Sequence, residues 1–88
     1  MKIVSKPIDV IVIFKIKEKP IPYKFKYVDC GCSETREIKV DKVITTAKSR
    51  IAGVETIVYR CQSFIGGQII TYELKYIIDE YRWVLYKL

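Results

Sequence analysis

The chain contains few residues with the chemistry that metal sites and catalytic thiols require. It has three cysteines, Cys30, Cys32 and Cys61, and no histidine. A structural zinc site needs four ligands, so a fourth ligand of the usual kind is missing from a single chain. Asp29 and Glu34 are close to the first two cysteines in sequence, and carboxylates near a thiol disfavour the reactive thiolate. We therefore expect reduced structural cysteines, with no metal and no cofactor.

The sequence also lacks the usual patterns of an active site. Without histidine, a general base near neutral pH would have to be a strongly shifted carboxylate, lysine or thiol. The ten acidic residues show no paired or metal-ligand spacing. Gly66-Gly67 is typical of a hairpin turn. It is not a phosphate-binding loop, because no helix follows it to present backbone N–H groups to a phosphate. We expect no catalytic residues, and we predict that the protein is not an enzyme.

Positive charge is concentrated near the start of the chain. Residues 1–26 hold seven lysines against Asp9 and Glu18, which accounts for five of the six net positive charges. If this region forms a hairpin, odd positions of its first strand share a face with even positions of its second. The lysines that would then project together are Lys15, Lys17, Lys24 and Lys26.

Two interpretations of this basic hairpin are open. A row of ammonium groups can bind phosphates, as in single-strand nucleic-acid binders that combine a basic groove with exposed aromatic rings. Alternatively, lysine solvates β surfaces and protects edge strands from unwanted pairing. The aromatic residues of the hairpin are predicted on its opposite face, so we favour solvation over phosphate binding.

Length and composition predict one small domain. Eighty-eight residues form a single core, and half of them are hydrophobic, which argues against disorder. Asp9, Lys15 and Lys17 interrupt the most apolar stretch, which is therefore too short to span a membrane. The first residues lack the features of a signal peptide. We expect a cytoplasmic protein with no membrane partner.

The clearest structural pattern lies in residues 68–88. Apolar residues alternate with polar ones on either side of an Asp79-Glu80 turn, as in an antiparallel hairpin with one buried face. Residues predicted on the buried face are Ile70, Tyr72, Leu74, Tyr76 and Ile78 in the first strand, and Tyr81, Trp83 and Leu85 in the second.

Similar alternation along the rest of the chain predicts an all-β fold. We expect a six-stranded antiparallel meander that forms a strongly twisted sheet or a small open barrel. A period slip at residues 42–44 predicts a β-bulge, and residues 47–53 suit either a helical turn or a loop. The predicted core consists of Val10, Val12, Phe14, Phe25, Tyr59, Leu74, Trp83 and Leu85.

The first strand is apolar on both faces at its middle. Ile11 and Ile13 share a face with charged residues, and they would lie beside Val84 and Tyr86 if the last strand pairs with the first. An exposed apolar patch of that size predicts a partner, and a symmetric homodimer is the simplest one. The competing explanation is barrel curvature, which can bury both faces of a strand at its midpoint. We favour the dimer.

Several short motifs together resemble a family of small bacterial all-β proteins of unknown function. The motifs are Pro7-Ile8-x-Val10, Pro22-x-x-Phe25, Val40-x-x-Val43, Tyr72-Glu73-Leu74-x-Tyr76 and Arg82-Trp83-x-Leu85-Tyr86. A related pattern in longer relatives accompanies genes of error-prone DNA polymerases, which implies an accessory role in DNA transactions. The resemblance supplies no catalytic residues. This chain has one tryptophan where that relative has several, and Cys30-Gly31-Cys32 replaces a simple glycine turn.

Two functions from different classes therefore remain. The first is a small non-enzymatic interaction or assembly module with an unidentified protein partner or a second copy of itself. The alternative is an accessory nucleic-acid-binding β barrel, linked to DNA repair or replication, that uses the basic hairpin. Salt distinguishes them, because phosphate binding weakens steeply with ionic strength and apolar association does not.

Overall fold

The predicted all-β fold is confirmed in the computed structural model, which describes residues 1–29 and 34–88. All strand pairs in this part of the chain are antiparallel, and the only helical element is a short 3-10 turn at Ile78–Glu80. The seven strands are β1 (Ile3–Ile13), β2 (Ile21–Asp29), β3 (Glu34–Lys39), β4 (Lys42–Ile51), β5 (Val54–Ile65), β6 (Gln68–Ile77) and β7 (Arg82–Lys87).

The strands form one curled sheet in the order β3-β2-β1-β7-β6-β5-β4. Strands β1 to β3 are neighbours in chain order, as are β4 to β7, and β7 lies beside β1; β3 and β4 are consecutive in the chain but lie at opposite edges of the sheet, which departs from a simple meander. Strand β1 pairs with β7 through its first half, up to Ile8, and with β2 through its second half, from Asp9. The sheet therefore bends along β1 and curls into a half-barrel.

The predicted third strand is divided into two, which gives seven strands instead of six. At the corner, the Val40 N–H donates to the Tyr23 carbonyl of β2 at 2.8 Å, and the Asp41 N–H donates to the Gln62 carbonyl of β5 at 3.1 Å. The chain thus crosses from one edge of the curled sheet to the other. The predicted bulge is present, because the β4–β5 register skips Ile44. Residues 47–51 continue β4, so neither a helical turn nor a loop forms there.

Two tight turns complete the β5–β6 and β6–β7 hairpins. Gly66 and Gly67 both have positive φ, at 56° and 82°. Two such residues form the type I′ turn that matches the twist of a hairpin. The β6–β7 connection passes through the 3-10 turn and Tyr81, which has a φ of 52°. Tyr81 was expected on the buried face, but this turn leaves it 85% exposed.

Aromatic rings join the two halves of the half-barrel. Phe25 of β2 contacts Tyr72 of β6 with ring centroids 5.5 Å apart, and Trp83 contacts Tyr59 at 5.3 Å and Tyr76 at 4.8 Å. The buried hydrophobic residues around them are Ile8, Ile38, Val40, Ile57, Cys61, Leu74 and Leu85.

Most of the predicted core is confirmed. Val10 and Val12 are partly buried and pack against the core, and the other predicted core residues are buried with one exception. The prediction for Phe14 was wrong: β1 ends at Ile13, and the Phe14 side chain is 71% exposed. The alternation of the sequence continues past the point where the strand stops.

A buried hydroxyl holds the two edges of the half-barrel together, and its loss is expected to be costly. Ser63 Oγ donates to the Lys39 carbonyl at 2.6 Å and shares a hydrogen bond with the Tyr72 hydroxyl at 2.5 Å. Ser63→Ala should lower the free energy of unfolding by about 1 to 3 kcal/mol, because it removes a hydrogen-bond partner from the buried Tyr72 hydroxyl and from the Lys39 carbonyl. Urea unfolding followed by circular dichroism measures this change. Ser49→Ala, on the edge strand β4, is the matched control; an equal loss in both variants would contradict the explanation.

Candidate interaction surface on the first hairpin

The β1–β2 hairpin carries an exposed apolar surface on its outer side. Ile11 is directly opposite Lys24, and Asp9 is opposite Lys26, so the predicted pairing of odd positions with even ones holds for these pairs. Ile11 is 58% exposed and Ile13 is 41% exposed. Curvature of the sheet therefore does not bury these two side chains.

The lysines on β2 have acidic neighbours on the same face. Lys24 forms a salt bridge with Glu37 of β3, and its hydrogen bond is the main cause that lowers the pKa of the Glu37 carboxyl. Lys26 is opposite Asp9 on one side and Glu37 on the other. Opposite charges in adjacent positions across strands attract one another. Lys39 is directly opposite Lys24, so these five side chains together leave one net positive charge on the outer face of the hairpin.

The four lysines predicted to project together do not form one row. Strand β1 ends at Ile13, so Lys15 and Lys17 lie in the connecting turn and not on the strand face. The turn is tight: the Glu18 N–H donates to the Lys15 carbonyl at 3.3 Å, and Lys17 has a φ of 60°. Alternation along residues 14–17 suggested a longer strand, but the turn changes the direction of the chain.

The turn itself exposes two further large apolar residues. Phe14 is exposed, as described above, and Ile16 is 90% exposed. The far side of the turn is anchored to the core, because the Tyr59 hydroxyl donates to the Pro20 carbonyl at 2.5 Å. Lys19 Nζ also donates to Thr46 Oγ1 at 3.5 Å. A well-anchored connection thus presents Phe14 and Ile16 to solvent.

Val84 and Tyr86 do not join this surface, in contrast to the expectation. Strand β7 does pair with β1, but Val84 is opposite Pro7, four residues from Ile11. Four residues of a strand span about 13 Å. Val84 is also buried, and the ring of Tyr86 lies 3.9 Å from Lys75 Nζ. The exposed surface is therefore limited to the β1–β2 hairpin.

Tyr23 belongs to this surface although the alternation did not predict it. The β1–β2 register skips one residue between the Ile11–Lys24 and Val12–Pro22 pairs, which leaves Tyr23 as the extra residue. Its side chain is exposed, and Lys39 Nζ lies 5.7 Å from its ring centroid. Pro22 is a sequence signal for this irregularity, because proline has no N–H to donate to a ladder.

Cys61 is the one cysteine among the residues that the structure describes. Cys61 is buried in β5, and burial raises the pKa of its thiol to about 12. Cys30 and Cys32 lie outside the described residues. Within residues 1–29 and 34–88, no group of three or more potential ligands is placed to hold a metal ion. The same part of the chain contains no helix that is long and apolar enough to cross a membrane.

Comparisons with known proteins add no relative to this description. The scan against family models, the search of curated proteins and the search of solved structures each found no match to this chain.

Proposed function

We propose that this protein is a small cytoplasmic, non-enzymatic assembly module that forms a homodimer through the outer face of the β1–β2 hairpin. The observation that carries the proposal is the exposure of Ile11 and Ile13 on a regular strand face. Soluble monomers rarely expose a contiguous set of large aliphatic side chains, and such a set marks an interaction site. Tyr23, at the register irregularity, extends the same surface with an aromatic ring.

A second copy of the chain is a suitable partner for this face. Lys24 and Lys26 have Glu37 and Asp9 as neighbours, so two copies can approach without a strong repulsion between like charges. In a two-fold dimer each patch meets itself, and the apolar residues near the axis contact their own counterparts. Strand pairing is not required, because the contact involves the face of the hairpin and not its edge.

Placing lysine at both isoleucine positions is expected to convert the dimer into a folded monomer. Ile11→Lys with Ile13→Lys introduces two charges into each half of the interface, and burial of an unpaired charge is strongly unfavourable. Light scattering at several concentrations measures the mass, and circular dichroism measures the fold. Because both side chains are exposed in the single chain, the fold should survive.

A matched control uses another exposed apolar pair of the sheet. Phe64 and Ile69 are opposite one another at the β5–β6 hairpin, and each is 67% exposed. Phe64→Lys with Ile69→Lys should remain a dimer. A wild type that is monomeric at every concentration, or a hairpin variant that unfolds, would show that this face is not an interface.

Nucleic-acid binding is the second candidate, and one observation favours it. Phe14 and Tyr23 are both exposed on the hairpin that also carries Lys15 and Lys17. Exposed rings beside ammonium groups are the combination used by proteins that bind single strands, in which bases stack on the rings. The resemblance to proteins associated with error-prone polymerases supports the same candidate. The paired state of Lys24 argues against it, and we therefore place it second.

Fluorescence anisotropy with a labelled oligothymidine tests the second candidate. If the hairpin binds single strands, Phe14→Ala with Tyr23→Ala should weaken binding by about tenfold or more, given the contribution of one to three kcal/mol for each stacked base. Lys15→Gln with Lys17→Gln should instead make the dependence on salt less steep. No anisotropy change at low salt would eliminate this function and leave the dimer proposal intact.

A further inference from the structure

An open seam lies on the side of the half-barrel where β3 faces the β5–β6 hairpin. The seam contains a groove of about 460 Å³. Apolar side chains supply most of its lining; they are Tyr27, Ile38, Ile65, Ile70 and Leu88, and the charged residues Arg36 and Glu37 complete it. Ile11, Ile13 and Tyr23 do not line this groove, although Glu37, the salt-bridge partner of Lys24, does.

The edge of β3 that borders the groove presents backbone groups in a regular pattern. Val40 donates its N–H to β2, so by the alternation of antiparallel pairs Ile38 and Arg36 also direct their backbone groups to β2. Lys39, Glu37 and Thr35 direct theirs to the opposite side. Ser63 Oγ bonds the Lys39 carbonyl from that side, which agrees with this assignment. In the described part of the chain, no second strand pairs with β3.

At the end of the seam near Lys39, side chains form the hydrogen bonds that a neighbouring strand would otherwise form with the backbone. Ser63 bridges to the Lys39 carbonyl, and the Asp41 carboxylate accepts the Phe64 N–H at 2.7 Å. These two bonds satisfy backbone groups that a neighbouring strand would otherwise pair. Farther along the seam, at Glu37 and Thr35, no side chain among residues 1–29 and 34–88 makes such a bridge to the backbone of β3. There the edge is open above the apolar groove.

We propose that this seam binds an extended peptide segment of a partner protein, which adds as a strand along the open edge of β3. An extended backbone is the occupant that supplies alternating donors and acceptors to Glu37 and Thr35. Its side chains point alternately in and out, so every second residue enters the groove against Ile38, Ile65 and Ile70. The peptide is therefore apolar at every second position. An aliphatic lipid chain would fill the groove but leave the edge groups without partners.

Titration of isotope-labelled protein with synthetic peptides tests the proposal by NMR. The probes are a panel of heptapeptides with valine, isoleucine or phenylalanine at alternate positions and serine, lysine or glutamate between them. We expect the amides of Thr35 and Glu37 to shift and to gain protection from hydrogen exchange. N-methylation of the peptide residues that face β3 removes those hydrogen bonds and should weaken binding at least tenfold, whereas N-methylation of the intervening residues should not.

Two neighbouring isoleucines provide a further control in the protein. Ile70 lines the groove, and Ile69 is on the outer face of the same strand. Ile70→Lys should abolish binding, and Ile69→Lys should leave it unchanged. If Ile70→Lys fails to fold, the binding of N-methylated peptides to the wild-type protein still shows whether the peptide pairs with β3. Absence of binding by the whole panel at millimolar concentration, or protection along β4 instead of β3, would overturn the proposal.

Discussion

Replacement of Trp83 by alanine is expected to lower the free energy of unfolding by about 3 to 5 kcal/mol. The tryptophan ring is buried, and it contacts Tyr76 on the neighbouring strand β6 and Tyr59 on the next strand, β5. Its removal leaves a cavity between rings that are themselves held by strand pairing, so the core cannot collapse into the space. Domains of this size have total stabilities of about 5 to 15 kcal/mol, so this loss is a large part of the total.

Urea unfolding followed by far-ultraviolet circular dichroism measures this loss. Tyr81→Ala is the matched control, because Tyr81 is the exposed aromatic residue of the same hairpin. We expect the control to change stability by less than about 0.5 kcal/mol, as is usual for surface substitutions. Equal losses in the two variants would mean that the tryptophan does not belong to the core.

Stability is expected to fall as the pH rises above about 9. Burial raises the pKa of the Cys61 thiol from 9.0 to about 12, and it raises the pKa of Tyr59 from 10.0 to about 12. Burial also raises the pKa of Tyr72. The folded chain therefore keeps these protons at pH values where the unfolded chain has released them. Their contribution is fully present below the unfolded pKa values and is lost as the pH rises toward 12.

Urea midpoints at pH 8 and about 10.5 test this expectation, with a predicted loss on the order of 2 kcal/mol from Cys61 alone. Cys61→Ala serves as the control, because it removes this thiol while leaving every exposed lysine and tyrosine in place. The variant will be less stable at both pH values, but its stability should fall less between them. The same pH dependence in both proteins would contradict a buried neutral thiol.

Strand pairing was predictable where alternation and turn residues agree. In β5 and β6, apolar residues occupy every second position and Gly66-Gly67 marks the turn, so Tyr59, Cys61, Tyr72 and Leu74 were correctly placed on the buried face. The seventh strand was not predicted, because the break at Val40 and Asp41 depends on hydrogen bonds to β2 and β5 that are distant in sequence. The local alternation of apolar and polar residues carries no information about such long-range hydrogen bonds.

The candidate surface was only partly predictable for a similar reason. The exposure of Ile11 and Ile13 followed from their place beside charged residues on one strand face. Alternation alone placed Phe14 in the core, because the sequence pattern continues where tertiary structure ends the strand. The separation of Val84 from Ile11 depends on the β1–β7 register, which is set by packing of the whole sheet.

The most direct test of the proposed assembly is a dilution series of isotope-labelled wild-type protein, followed by amide NMR spectra from about 1 mM to about 10 µM, a range that spans typical weak to moderate affinities. A homodimer that forms through this surface predicts concentration-dependent shifts confined to the outer face of the β1–β2 hairpin, at Ile11, Ile13, Tyr23 and Lys24. It also predicts a mass at high concentration of twice the 10.3 kDa of one chain. Spectra that do not change with concentration, or shifts located on the β4 edge or at the Phe64–Ile69 pair, would contradict it.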